Sequence, residues 1–171
     1  MNIAIFGATG GTGRQIAEQA LLAGHKVTAL ARDPAKLGLP ASPNLTVISG
    51  NVLNATAAEK TVAGADAVYV SLGNTSNNPD MIVSSGTTVI VNAMRQQGVR
   101  RLIVISSIGV GDSKDQVPFA FKILMNTVLR KAMEDKEEQE KIVRASGLDW
   151  TIIRPGGLTN NPPAGNYHAG V

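Results

Sequence analysis

Cysteine is absent from the 171 residues. Disulfide scaffolds, thiolate metal sites and cysteine nucleophiles are therefore excluded. Histidine is almost absent, with only His25 and His168 present. They lie far apart and neither has a ligand partner at helical spacing, so both read as surface residues and no metal is expected. No apolar run approaches the roughly eighteen residues of a membrane span. The chain starts directly on a strand signal, which leaves no room for a signal peptide. A cytoplasmic protein without a membrane partner is expected. Charge of one sign is also scarce: 16 Lys and Arg stand against 13 Asp and Glu, for a net +3, although the pI is 9.4. The densest basic features, Arg100-Arg101 and Arg130-Lys131, are too small for the basic stripe of a nucleic-acid binder. They read as solvated turn or helix-end charges, suited to a helix C-terminus.

What remains is an ordinary globular composition, 43% apolar and 17% charged. The length fits one domain over residues 1–171 with a sizeable core. Strand and helix signals alternate along it. Strands are expected at Asn2–Phe6, Lys26–Ala31, Leu45–Ser49, Ala67–Ser71, Leu102–Ser106 and Trp150–Ile153. Helices are expected at Gly10–Ala23, Ala55–Val62 and Asp80–Gln97, and in two pieces between Pro118 and Ala145. Gly24, Gly64, Gly98 and Gly147 end them. Most of the strands are apolar throughout, the mark of strands covered on both faces. The pattern predicts an α/β fold with a doubly wound parallel sheet, a Rossmann fold, in the order 3-2-1-4-5-6.

The most informative stretch is the opening. Strand one runs into Gly7-Ala8-Thr9-Gly10-Gly11-Thr12-Gly13, and a helical pattern follows from Arg14. Strand, glycine turn and helix together hold a diphosphate: the backbone approaches closely, and the amides and positive dipole end of the helix face the phosphates. Gly7, Thr9, Gly10, Gly11, Thr12 and Gly13 are therefore candidate cofactor residues; the alternative is a tight turn without a ligand. At the tip of strand two, an acidic residue selects NAD and an arginine accepts the 2′-phosphate of NADP. Strand two delivers Arg32, with Lys36 further along, so NADP is expected. Asp33 facing the ribose instead would admit NAD, and Arg32 could simply be a solvated strand-end charge. The same fold rule makes wall candidates of Asn51 and Val52 after strand three. It adds Leu72 and Gly73 after strand four, Ser106 after strand five, and Pro155 and Gly156 after strand six.

These motifs, with Ala31-Arg32-Asp33, Gly50-Asn51-Val52, Ser106-Ser107-Ile108-Gly109 and Trp150-Thr151-Ile152-Ile153-Arg154-Pro155-Gly156, resemble atypical short-chain dehydrogenases/reductases. Within them, the chain is most similar to the NmrA-like and biliverdin-IXβ (flavin) reductase-like group. The resemblance implies Ser107 as the active-site serine. It also places Lys136 where that group carries a basic residue facing the pocket; the alternative is a helix-surface charge paired with Glu137 or Glu140. The run Glu134–Lys141 reads as a solvated helix face. Two departures stand out: Asn51 replaces an acidic residue, and family members continue beyond the Gly165–Tyr167 region, so a minimal or truncated C-terminus is expected.

The tyrosine–lysine pair of ordinary short-chain dehydrogenases, Tyr-x-x-x-Lys, is missing, since neither Tyr69 nor Tyr167 has a lysine four residues on. The resemblance then implies hydride transfer from NADPH to a small planar conjugated acceptor, a flavin, quinone or tetrapyrrole, which takes its proton from solvent. A non-catalytic NADP-binding redox sensor of the NmrA-like kind fits the missing pair equally. Nucleotide-sugar epimerase chemistry fits less well, because it uses the same tyrosine. The apolar segment Pro118–Arg130 reads as core packing, or as a lid over the acceptor.

Overall fold

A computed structural model describes residues 1–74, 81–117, 127–159, 165 and 170. Its strands are β1 (Asn2–Phe6), β2 (Lys26–Ala31), β3 (Leu45–Ser49), β4 (Ala67–Val70), β5 (Arg101–Ile105) and β6 (Asp149–Ile153). Its helices are α1 (Gly11–Leu22), α2 (Ala55–Val62), α3 (Ile82–Gln97) and α4 (Arg130–Arg144). The six strands form one sheet in the order β3-β2-β1-β4-β5-β6, with every pairing parallel.

Alternate side chains of each strand feed opposite layers. Ala4, Phe6, Val68, Val70, Leu102 and Val104 pack with α2, α3 and Val143 of α4. Ile3, Ile5, Val27 and Ala29 pack on the other face against Ala17, Ala20 and Leu37. Covering both faces removes the alternation of polar residues and explains the uniformly apolar strands.

Several boundaries differ from expectation. β4 stops at Val70, and β5 and β6 each begin one residue early. The early start has a cause: Arg101 and Asp149 are register partners, and their side chains meet at 3.3 Å. Two 3-10 turns, Pro34–Leu37 and Gly111–Gln116, had no clear sequence signal. Arg130 and Lys131 open α4 rather than closing a helix, and Arg130 turns to Glu134 of the next turn at 3.8 Å. The segment 118–126, including most of the expected apolar helix, lies outside the described residues, as do Tyr167 and His168.

Helix α3 is capped from a distance. Met81 precedes it at φ +60 and supplies no side-chain cap. Instead, fully buried Asp135 of α4 accepts from the amides of Val83 (3.0 Å) and Ser84 (2.8 Å). A carboxylate there satisfies two orphan donors and meets the positive end of the helix dipole.

Candidate functional site

A cavity of about 380 Å³ opens across the carboxyl ends of the strands, within the usual size range of small-molecule sites. Residues from all six strand ends reach it. Gly7, Thr9, Gly10, Gly11 and Thr12 form its floor, where β1 turns into α1. The turn is closed by the Gly10 amide donating to the Gly7 carbonyl at 3.0 Å. Arg32 and Asn51 line it beyond β2 and β3, and Gly73, Ser106, Lys136 and Pro155 line it beside β4, β5 and β6, with Val52 and Leu72 together over Gly86 between them. Asn74 and Leu158, in the loops expected to form walls after β4 and β6, line the cavity too, and sequence reasoning missed Ile82 and Ile105.

Four expected residues are not brought to the wall. Gly13 packs under the turn, where a Cβ would collide with the Gly7 carbonyl group. Lys36 is an exposed charge held to Asp33 at 3.6 Å. Ser107 is half-buried, and its hydroxyl donates to the Ile108 carbonyl at 3.2 Å. Gly156 is exposed beyond Pro155. Asn51 lines the cavity but spends its side-chain oxygen locally, accepting from the Leu53 amide at 3.1 Å.

The glycines of the turn serve different needs. Gly7 sits at φ +87, and a Cβ on it would press into the Ser71 carbonyl group. No L side chain fits that position comfortably. Gly11 and Gly73 line the cavity, and a Cβ on either would meet no atom of the described residues within 4 Å.

Helix α4 brings Lys136 to the cavity. The Lys136 ammonium donates to the carbonyls of Ile105 (2.6 Å) and Leu72 (3.0 Å) and reaches Gln139 Oε1 at 3.4 Å. Burial pushes its pKa from 10.5 down to about 8, against the opposing pull of Asp135 and Glu140. It is therefore a cavity-side cation and not a surface partner of Glu137, which pairs with Lys114 instead at 2.8 Å.

One turn on, Glu140 is 3% exposed. It accepts from Ser106 Oγ at 2.6 Å and from Arg154 Nε and Nη2 at 2.8 and 2.6 Å. Burial opposes its ionisation, but the hydrogen bonds from Arg154 and Ser106 and the charges of Arg154 and Arg144 outweigh it. The carboxyl is held below its ordinary range. Arg154 also lies 3.6 Å from Asp112, which pairs with Arg144 at 2.7 Å. Expecting a solvated face throughout Glu134–Lys141 is thus wrong for Asp135, Gln139 and Glu140, which are buried. Their spacing points one stripe of α4 inward, and each polar group there has a partner. Among the described residues, no group of His, Cys, Asp or Glu could hold a metal ion, and no helix is long and apolar enough to cross a membrane.

Comparison with known proteins agrees with this layout. A family model described as NAD(P)H-binding matches residues 7–171. An uncharacterised chloroplast protein of Arabidopsis thaliana is 34% identical over 171 residues, covering 95% of this chain and 61% of its own length. The reductase pytE of Aspergillus terreus is 27% identical over 200 residues, covering 92% of this chain and 76% of its own. A short-chain dehydrogenase/reductase from Veillonella parvula, solved in complex with NADP, superposes with a TM-score of 0.75. It is 25% identical, and the match covers 94% of this chain and 71% of that one. This chain spans less than two thirds of the plant relative's length.

Proposed function

The chain belongs to the NAD(P)H-binding family, and on that premise we propose that it is an NADPH-dependent reductase. Its acceptor is a planar conjugated molecule of the flavin, quinone or linear tetrapyrrole class. One observation carries the cofactor half of this reading. Gly11 lines the cavity at the turn from β1 into α1, and among the described residues nothing stands within 4 Å of a Cβ placed on it, which leaves room for a diphosphate against bare backbone.

The strand order assigns the two ends of the cleft. The ends of β2 and β3 take the adenosine, where Arg32 stands to bind a 2′-phosphate. The ends of β5 and β6 take the nicotinamide, beside Ser106 and Pro155. When bound, NADPH supplies a hydride from its C4, and the acceptor gains two electrons and takes a proton from solvent. The chain's own residues hold the two rings in register and exclude water. Lys136 keeps a positive charge in the wall where negative charge grows on the acceptor. Two carbonyls already share that charge, so its loss costs on the order of tenfold in turnover, less than the loss of a directly bonded oxyanion donor.

The test is loss of the NADPH absorbance with a panel of flavin and quinone acceptors. The expected result is turnover that falls as pH rises through about 8, as Lys136 loses its proton. The Lys136→Met variant is slower and lacks that pH dependence. Tight NADPH binding without turnover across the panel would instead establish the sensor reading.

Arg32→Ala separates the two cofactors. A charge-assisted hydrogen bond of about 1.5–3 kcal/mol is roughly a tenfold or greater change in affinity. NADP binding weakens by at least that much, and NAD binding stays within about twofold, by fluorescence titration. Equal losses would remove Arg32 from the 2′-phosphate site.

A further inference from the structure

We infer that Glu140 is a positioning residue that fixes Ser106 as a hydrogen-bond acceptor toward the cavity, so that the site selects a ring substituent carrying an N–H donor. The inference rests on the cofactor reading above, which puts the nicotinamide carboxamide at this end of the cleft.

An ionised carboxylate only accepts hydrogen bonds, and Glu140 is gripped through both oxygens by Arg154. The proton in the 2.6 Å contact therefore belongs to Ser106. A serine hydroxyl has one proton and two lone pairs. With its proton committed, Ser106 has only lone pairs to offer the cavity it lines. The Ser106 amide is likewise committed, donating to the Ile153 carbonyl at 2.8 Å. A ligand group placed here must donate. The amide nitrogen of nicotinamide does so; a methyl ketone in its place does not.

Every element packed around the pair holds it in this polarity. Gly111, at φ +55, brings the 111–116 turn so close that a Cβ there would lie 2.6 Å from Arg154 Nη2 and 2.8 Å from Glu140 Oε2. Asp112 of the same turn faces Arg154 and not Ser106. Lys136, one turn back on α4, spends its protons on carbonyl oxygens and Gln139. Among the described residues, Glu140 is the charged group that takes the Ser106 hydroxyl proton.

The probes are NADP and its 3-acetylpyridine analogue, which carries a methyl ketone instead of the carboxamide. Binding of each is measured by calorimetry on the full chain. The unmodified protein binds NADP about fivefold tighter than the analogue, the effect of one hydrogen bond. In Ser106→Ala the two bind within about twofold, and Ser106→Thr restores the preference. Glu140→Ala, where its midpoint shows it folded, removes the acceptor, frees the Ser106 hydroxyl proton to face the cavity and lowers the ratio toward one. A merely structural role would weaken both probes together and leave the ratio unchanged. An unchanged ratio in Ser106→Ala overturns the inference while the cofactor reading stands. No binding of NADP by the unmodified protein overturns the cofactor reading itself.

Discussion

Replacing Glu140 by alanine lowers the thermal midpoint by roughly 10 °C. Removing one partner of a buried ion pair costs about 3–5 kcal/mol, because the other charge stays buried and unpaired. Here the abandoned partner is Arg154, whose side chain is 19% exposed. Asp112 still lies 3.6 Å from it, which places the loss near the low end, about 3 kcal/mol. For a chain of this length each kcal/mol moves the midpoint by about 2–4 °C. Lys141→Ala is the matched control. Its contact with Glu138 is 3.1 Å, but the two side chains are 65% and 45% exposed. Such a pair is worth about 0–1 kcal/mol, so the control barely shifts. The contrast also carries a pH signature. The Glu140 carboxyl lies below its ordinary 4.5 in the folded chain. Its contribution is therefore complete above about that pH and is lost as pH falls through the folded value. The variant and the unmodified protein converge in stability in acid. Equal midpoints at neutral pH would show that the pair does not support the fold.

Gly7→Ala is expected to weaken NADP binding on the order of 100-fold and to destabilise the chain as well. Two costs combine. A non-glycine residue at positive φ is strained by about 1–3 kcal/mol. The added methyl also stands 2.7 Å from the Ser71 carbonyl carbon and 3.2 Å from the Leu72 amide, at the point where the β1–β4 ladder ends. Relief comes only by parting the two strands whose ends form the floor of the cleft. Gly11→Ala makes the opposite case. Among the described residues nothing meets its methyl, so the midpoint holds while NADP binding falls by about tenfold or more as the methyl enters the phosphate space. Calorimetry and thermal unfolding of the two variants check both statements. Loss of stability without loss of binding in Gly11→Ala would remove the diphosphate from that turn.

The sheet was legible from sequence because its signals are local and redundant. Six apolar runs, each bounded by glycine or a helix, leave few alternatives to a parallel sheet. The glycine turn was legible for the same reason: seven consecutive residues, Gly7 to Gly13, carry the whole motif. Helix α4 was misread because its logic is not local. Asp135 is buried by the amides of Val83 and Ser84, some fifty positions earlier. Glu140 is buried by Ser106 and Arg154, which lie on either side of it in sequence at separations of 34 and 14. Charge density alone reads such a helix as solvated, since buried charges are rare unless paired. The clue was the stripe 135, 136, 139, 140 and 143, which follows helical spacing with Val143 at its end. Ser106 and Ser107 show the limit of fold rules from the other side. The rule locates the loop after β5, but which of two adjacent serines meets the cavity depends on where the strand stops.

The cleft is made by two kinds of material. Its floor is main chain, shaped by glycines and indifferent to most surrounding side chains. Its far wall includes Lys136 of α4, a helix whose buried stripe also clamps the start of α3 and, through Glu140, holds Ser106 and Arg154 beyond β5 and β6. Mutational drift along that one helix can recast the polarity of the reacting end while leaving the dinucleotide cradle intact. A lineage with this architecture can thus change its oxidant without relearning its reductant.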